Sequence, residues 1–190
     1  GLQHIYPASQ IGFDSGEKLL KIARNTYFIN DRRLDDNGSN SYLPAGARIG
    51  VDPEFLIEGI RQNIKEFGLP NRLFRHHGGG IEHLTTIPAT INEMLMQSYE
   101  GVIRLFPAWD RKQNAKFRSL RAFGAFLING KLNDGTIYAE IFSEQGMPLT
   151  VEAPGEGYEL ITGDGQRKPI TEKLITVNTQ KGETLIVKKA

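Results

Sequence analysis

The hydrophobic pattern of this chain changes from helical to strand-like near residue 107, which excludes both all-helical and all-β folds. Before this point apolar residues recur at helical spacing, and after it short apolar runs alternate with turn signals. We therefore expect an α+β fold with two domains, which a length of 190 residues accommodates. The expected domains are helical over residues 1–107 and an antiparallel β-sandwich over residues 108–190.

Two helices of the first domain are predicted from their start and stop signals. Ser15 is a candidate N-cap for a helix that reaches Ile29. The second helix begins at Asp52-Pro53-Glu54, where an Asp cap precedes a Pro at the first helical position and an early acid. Gly68 is predicted to end it.

A third helix is predicted to begin at Pro88 and to run to about Ser98. Two polar segments rich in turn-forming residues separate the three helices. Residues 31–46 and 69–86 are therefore predicted to be long loops.

The second domain is predicted to consist of short strands joined by turns. Asn133-Asp134-Gly135 is typical of a hairpin turn. Ile137, Ala139 and Ile141 alternate with other residues, as a half-buried strand requires. The predicted strands are residues 102–106, 117–122, 125–130, 136–143, 148–153, 158–162, 172–178 and 184–188.

Composition and charge exclude several classes of protein. Lys and Arg number 23 and Asp and Glu number 22, a net charge of +1, so we expect no nucleic-acid partner. No membrane insertion is expected, because no apolar run approaches the roughly 20 residues that span a bilayer. The absence of cysteine excludes a thiol nucleophile and a cysteine zinc site. Gly1 is interpreted as a tag-cleavage scar, so Leu2 is expected to be internal to a longer protein.

The densest cluster of reactive side chains is the glycine-rich segment from Arg75 to His83. We expect it to lie in a long loop just before a helix, a position that often carries function. Glu82 is a candidate general base, since hydrolysis of a glycosidic bond commonly uses two carboxylates. A structural role is the alternative, because a carboxylate there also complements a helix dipole or pairs with Arg75.

Other chemistries have less support. His76, His77, His83 and Glu82 are possible metal ligands, but their spacing matches no zinc pattern, and no metal or other cofactor is expected. The three glycines lack the Gly-Lys-Ser/Thr of a phosphate-binding loop. No serine stands in a Gly-x-Ser-x-Gly frame. Trp109 is a candidate for stacking on a sugar face, although a single Trp at a domain junction is more often a packing residue.

Three segments carry a resemblance to a known family. In chain order they are residues 4–11 (HIYPASQI), 93–108 (EMLMQSYEGVIRLFPA) and 120–126 (LRAFGAF). They resemble H-L-Y-P-G-N-Q-I, E-M-L-L-Q-S-H-x-G-x-I-x-L-L-P-A and L-R-A-R-G-G-F of the family-95 glycoside hydrolases. These enzymes are α-L-fucosidases and relatives with an (α/α)6 barrel and a C-terminal β-domain, and the matches follow the family's order.

The resemblance implies a role for Glu82. The family's catalytic loop reads I-D-G-N-F-G-G-T, and its Asp lies eleven residues before the Glu of E-M-L. Eleven residues before Glu93 stands Glu82, so the resemblance implies that Glu82 is the general base or its helper. His76, His77 and His83 are then candidates for binding sugar hydroxyls or for orienting Glu82.

The chain departs from the family pattern around the sugar pocket. Glu82 stands in place of Asp, and His83-Leu84-Thr85-Thr86-Ile87 replaces Gly-Asn-Phe-Gly-Gly. Residues 41–50 lack the Trp that the family has before its A-R-L-G. These departures imply a sugar pocket that differs from that of the fucosidases.

The sequence therefore predicts the last helices of an (α/α)6 barrel and the C-terminal β-sandwich of an inverting glycoside hydrolase acting on an α-linked sugar. Its expected partners are a carbohydrate substrate and the rest of its own barrel, which would carry the general acid. The 190 residues alone are thus expected to be inactive. The family's habits favour a periplasmic or extracellular location. The alternative is a non-catalytic carbohydrate-binding or scaffolding module, in which Trp109 or Tyr138 matters more than Glu82.

Overall fold

A computed structural model describes residues 2–34, 39–71, 73–75 and 81–190, without the side chains of residues 39, 40 and 81–83. The chain divides into two compact units, Gly1–Met94 and Leu95–Ala190. Within the described residues the first unit is helical and the second contains two sheets, so the predicted α+β class is confirmed. The boundary between the two units lies before residue 107, where the hydrophobic pattern of the sequence changes. The reason is that Met96 already pairs with Leu105 as part of a sheet.

The helices of the described residues begin and end partly as predicted. Asp52 caps one of them as expected, since its carboxylate accepts hydrogen bonds from the backbone N–H groups of Glu54 and Phe55 at 2.9 and 3.2 Å. The prediction of Ser15 as an N-cap is wrong, because Gly16 holds that position and the Ser15 hydroxyl accepts from the Gly12 N–H. The helices are α1 (Glu17–Ile29), α2 (Ser39–Arg48), α3 (Pro53–Phe67) and α4 (Ile81–Leu95).

Helix α2 overturns the prediction of a loop over residues 31–46. Its Ser, Asn, Gly and Pro content favours a loop, but burial of an apolar face outweighs that local preference. Tyr42 and Leu43 are fully buried. Gly46 permits a close approach to α1, because a Cβ atom there would lie 2.6 Å from the Tyr27 hydroxyl oxygen.

Helix α4 begins at Ile81, so the predictions of a start at Pro88 and of a loop reaching residue 86 are wrong. A Pro inside a helix costs about 3 kcal/mol relative to Ala. The helix nevertheless continues through Pro88, since it buries Thr86, Thr90 and Met94 at a spacing of four residues. The Thr90 hydroxyl donates to the Thr86 carbonyl oxygen at 2.6 Å.

The second unit contains two sheets. One has the strand order β1-β2-β6-β9, with β2 and β6 parallel and the other neighbours antiparallel; the other is antiparallel, with the order β3-β4-β5-β10-β7-β8. The strands are β1 (Met96–Gln97), β2 (Val102–Leu105), β3 (Ala115–Ala122), β4 (Phe126–Asn133), β5 (Thr136–Ser143), β6 (Leu149–Glu152), β7 (Tyr158–Ile161), β8 (Arg167–Pro169), β9 (Leu174–Val177) and β10 (Thr184–Lys189).

Every strand predicted from the sequence is present, with bounds shifted by a few residues. Asp134 and Gly135 both have positive φ, 47° and 76°, and form the expected two-residue turn between β4 and β5. Strand β5 buries every second residue, including Ile137 and Ala139. Among the strands of the described residues, two were not predicted: β1, which was assigned to a helix, and β8, a three-residue edge strand.

One hydrogen bond predicts a measurable effect on stability. The Ile137 N–H, in β5, donates to the buried Tyr158 hydroxyl at 2.9 Å. Tyr158→Phe leaves this N–H without its acceptor, so we expect the free energy of unfolding to fall by about 1–2 kcal/mol in urea titration. Tyr138→Phe, on the exposed face of β5, is the matched control and is expected to change it little. Equal effects of the two variants would contradict the assignment.

Candidate functional site

The structure describes only some of the predicted catalytic and sugar-binding residues. The backbone of Glu82 and His83 lies in the first turn of α4, but their side chains are outside the described residues. His76 and His77 lie outside the described residues altogether. The structure therefore leaves the contacts among these four residues as predictions.

Trp109 follows β2 in the second unit and is half-buried. Its indole Nε1–H donates to the Gln113 carbonyl oxygen at 3.1 Å, and its backbone N–H is 3.5 Å from the Phe106 oxygen. These bonds hold the ring in one orientation while part of it stays exposed. Trp109 and Glu82 belong to different units.

The first unit contains a buried ion pair that the sequence analysis did not single out. Arg48, at the end of α2, is 8% exposed. Its Nε and Nη2 donate to the two carboxylate oxygens of Glu93, on α4, at 2.9 and 2.7 Å. This two-point arrangement fixes the geometry of both groups more strongly than a single contact does.

Arg48 also ties the N-terminal segment to the helices. Its Nη1 donates to the Ile5 carbonyl oxygen at 3.1 Å and to the Ser9 hydroxyl at 2.7 Å. The guanidinium lies 4.7 Å from the centre of the Tyr6 ring. Burial and the negative charge of Glu93 raise the pKa of Tyr6. We call Arg48, Glu93, Ile5, Ser9 and Tyr6 the Arg48 network; with its carboxylate held by the guanidinium, Glu93 is a structural residue.

A second feature of the first unit is a cleft of about 480 Å³ beside Asp31 and Arg33. The Arg33 Nε and Nη2 donate to the Asp31 carboxylate at 2.9 and 2.6 Å. These hydrogen bonds lower the pKa of Asp31. The Arg33 guanidinium therefore neutralises the Asp31 carboxylate, which leaves this carboxylate poorly suited to act as a base.

Two stacked tyrosines next to this cleft predict an alkaline titration. The rings of Tyr27 and Tyr42 lie 3.9 Å apart, centre to centre, and both are buried. Burial and the charge of Asp31 raise the pKa of Tyr42 to about 12 from a usual 10. Because the neutral phenol is the form favoured in the folded chain, this group stabilises the fold fully below pH 10 and loses that contribution as the pH rises through about 12.

Ultraviolet difference absorbance of the phenolate group measures this titration. We expect Tyr42→Phe to remove a phase near pH 12 and exposed Tyr138→Phe to remove an earlier one. If Tyr42→Phe removed only an early phase, the burial of Tyr42 against Tyr27 would be wrong.

A polar cleft of about 730 Å³ opens in the second unit between the turn that joins β7 to β8 and the connection from β9 to β10. We call it the loop cleft. Glu183 joins its two sides, because its Oε1 accepts from the Gly163 N–H and its Oε2 from the Gln180 N–H, both at 2.7 Å. The residues that line it are Thr162, Gly163, Asp164, Gln166, Lys168, Asn178, Gln180, Lys181, Gly182, Glu183 and Thr184.

Neither the Arg48 network nor the loop cleft was predicted from the sequence. Arg48 and Glu93 lie 45 positions apart in the chain, and no local pattern relates them. The loop cleft is lined by Gly163-Asp164-Gly165 and Lys181-Gly182, which the pattern marks only as turns. The fold brings these two turns close together, and the loop cleft lies between them.

The described residues contain neither a cluster of metal-binding side chains nor a helix that could span a membrane. In that part of the chain no three His, Asp or Glu side chains lie close enough to hold a metal ion together. None of its helices combines the length and the hydropathy needed to cross a membrane.

No protein-family model matches the chain, and no curated protein matches it significantly.

Proposed function

We propose that these residues are the last helices of an (α/α)6 barrel and the C-terminal β-sandwich of an inverting glycoside hydrolase that cleaves an α-linked sugar from an oligo- or polysaccharide. The Arg48 network carries the proposal. Two of the segments that resemble family-95 enzymes, residues 4–11 and 93–108, meet at this one arginine. Tyr6 and Glu93 stand at positions where these segments match the family, and both side chains contact Arg48. A shared structural role at these two matched positions supports the resemblance.

The position of Glu82 on α4 is a second support. Glu82 stands in the first turn of the helix and Glu93 near its end. Eleven residues of a regular α-helix make about three turns and about 16 Å. The eleven residues between Glu82 and Glu93 therefore lie within one helix. The Arg48 network holds the Glu93 end of this helix in place.

The chemistry of inversion requires two groups. A base takes a proton from water while the water oxygen attacks the anomeric carbon, and an acid gives a proton to the departing glycosidic oxygen. Under the proposal Glu82 is the base or its helper. The dipole of α4 favours the charged form that a base needs at this first turn. The acid belongs to another part of the barrel, and His76, His77, His83 and Trp109 stay proposed sugar contacts.

Helix α1 supports the proposed contact with the rest of a barrel. Ile22 and Ile29 are 52% and 82% exposed and stand seven residues apart, on one face of the helix. Leu19, on the same face, is also exposed. An apolar face of this kind is typical of a surface that another helix covers. The periplasmic or extracellular location is likewise a proposal.

The contacts between the two sheets support the proposed sandwich. Phe106 follows β2 of one sheet and Phe117 lies in β3 of the other, and their ring centres are 5.4 Å apart. Both rings are buried. Interleaved side chains from two inner faces are what a sandwich core requires.

The direct test is an assay of the intact polypeptide that contains these residues on a panel of α-linked nitrophenyl glycosides, α-L-fucoside among them. We expect hydrolysis of at least one of them, and none by the 190-residue chain alone. A folded intact polypeptide that releases no sugar from any glycoside of the panel would contradict the proposal.

A carbohydrate-binding or scaffolding module is the second candidate function. The fixed and partly exposed ring of Trp109 favours it, since sugar faces stack on aromatic rings held in one orientation. In this case Trp109→Ala weakens retention of the chain on an immobilised polysaccharide, whereas Glu82→Gln leaves it unchanged.

A further inference from the structure

We propose that the loop cleft of the second unit binds a neutral oligosaccharide. The loop cleft belongs to the second unit and Glu82 to the first, and the proposal does not depend on the proposed hydrolase activity. Its volume of about 730 Å³ lies within the range of about 300–1,000 Å³ that ligand clefts occupy.

The lining of the loop cleft suits a ligand rich in hydroxyl groups. Amide side chains of Gln166, Asn178 and Gln180 each offer both a donor and an acceptor, as a sugar hydroxyl does. The residues that line the cleft include no aromatic and no large apolar side chain. A nucleotide base or another flat apolar ligand would therefore find no surface to stack on, and a sugar would be held here through hydrogen bonds to its hydroxyl groups alone.

The charge of the loop cleft argues against a charged ligand. Two acidic side chains, Asp164 and Glu183, are matched by two basic ones, Lys168 and Lys181. Phosphate and acidic sugars are recognised by a surplus of cations, and polyamines by a surplus of carboxylates. The balance found here favours a neutral ligand.

The two carboxylates are held before any ligand arrives. Glu183 receives a backbone N–H from each side of the cleft. Asp164 receives the Thr162 hydroxyl at 2.5 Å and the Gln166 N–H at 3.2 Å. These hydrogen bonds lower the pKa of Asp164, so it stays an ionised acceptor at neutral pH. Acceptors fixed in advance reduce the ordering cost of binding.

A buried side chain, Thr179, anchors the connection from β9 to β10. Thr179, between two lining residues, is buried and donates to the Met147 carbonyl oxygen at 2.7 Å. Its hydroxyl also lies 2.7 Å from that of fully buried Ser143, which accepts from the Gly146 N–H at 3.0 Å. The loop that forms one side of the cleft is thus built on a satisfied polar network, as a binding loop on a rigid scaffold requires.

A titration of the 190-residue chain, followed by backbone amide NMR shifts, tests the proposal. The neutral probes are maltotetraose, cellotetraose, xylotetraose and 2′-fucosyllactose, and tetragalacturonate is the acidic one. We expect at least one neutral probe to shift the amides of Gly163, Gln180 and their neighbours. The double variant Gln166→Ala/Asn178→Ala is expected to raise the Kd for that probe at least 10-fold.

Both variant side chains are exposed, so the fold is expected to survive their removal. Glu156→Ala, an exposed change in the same unit outside the cleft, is the matched control and should leave affinity unchanged. The proposal is overturned if no neutral probe binds, if only tetragalacturonate binds, or if the double variant binds as tightly as the control. Because the assay involves no hydrolysis, its failure leaves the hydrolase proposal untouched, and a failed hydrolysis assay leaves this one untouched.

Discussion

Glu82→Gln in the intact polypeptide is expected to lower kcat on its glycoside by about 100–10,000-fold, the range that a general base contributes. Glutamine keeps the size of the side chain but cannot accept a proton from water. The Tm is expected to stay nearly unchanged, because the proposed role is chemical. Initial rates and a thermal scan on the same preparations measure both quantities.

Two matched variants sharpen this test. Glu66→Gln removes an exposed carboxylate of α3 in the same unit and is expected to leave kcat unchanged. Glu82→Asp restores the residue type that the family has at this position and is expected to keep more activity than Glu82→Gln. If Glu82→Gln hydrolysed the glycoside as fast as Glu66→Gln, Glu82 would not be the base.

Arg48→Met is expected to have the largest effect on stability, about 3–5 kcal/mol. The substitution leaves the Glu93 carboxylate, 17% exposed, without its cation in the interior of the unit. It also removes the hydrogen bonds to Ile5 and Ser9 and the contact with the Tyr6 ring. Urea unfolding of the 190-residue chain, followed by helical circular dichroism, gives the free energy of unfolding.

A double-mutant cycle separates the ion pair from the rest of the network. Arg48→Met/Glu93→Leu removes both charges and is expected to recover part of the loss, because no unpaired carboxylate stays buried. Arg61→Met is the control, since Arg61 is 70% exposed and 3.9 Å from its partner carboxylate, and we expect a loss below about 0.5 kcal/mol. A loss of that size for Arg48→Met as well would show that the Arg48 network does not hold the first unit together.

Most of the strands could be predicted from the sequence, because their signals are local. A two-residue turn such as Asp134-Gly135 needs positive φ at both positions, and the alternation in β5 needs one buried face. The predictions that failed in the first unit concern segments whose conformation is determined by tertiary packing. Helix α2 is helical because Tyr42 packs on Tyr27 and Gly46 fits closely against it, and neither contact is visible in local composition.

The candidate site could be predicted only as far as its position along the chain. The eleven-residue spacing to Glu93 makes Glu82 the candidate base. Its position within a helix was not predicted, because Pro88 was interpreted as the start of a helix that in fact begins at Ile81. Arg48 was not predicted, because the residues that its guanidinium contacts come from two distant segments. The loop cleft was not predicted either, since its sides are joined by a single carboxylate, Glu183.

The stereochemistry of the first product tests the central claim most directly. Proton NMR of the reaction of the intact polypeptide with its α-linked glycoside distinguishes the anomers before mutarotation mixes them. An inverting mechanism predicts that the β anomer of the released sugar appears first. The proposed role of Glu82 predicts that Glu82→Gln slows its formation by about 100–10,000-fold. Release of the α anomer first, or the same rate of release from Glu82→Gln, would contradict the account.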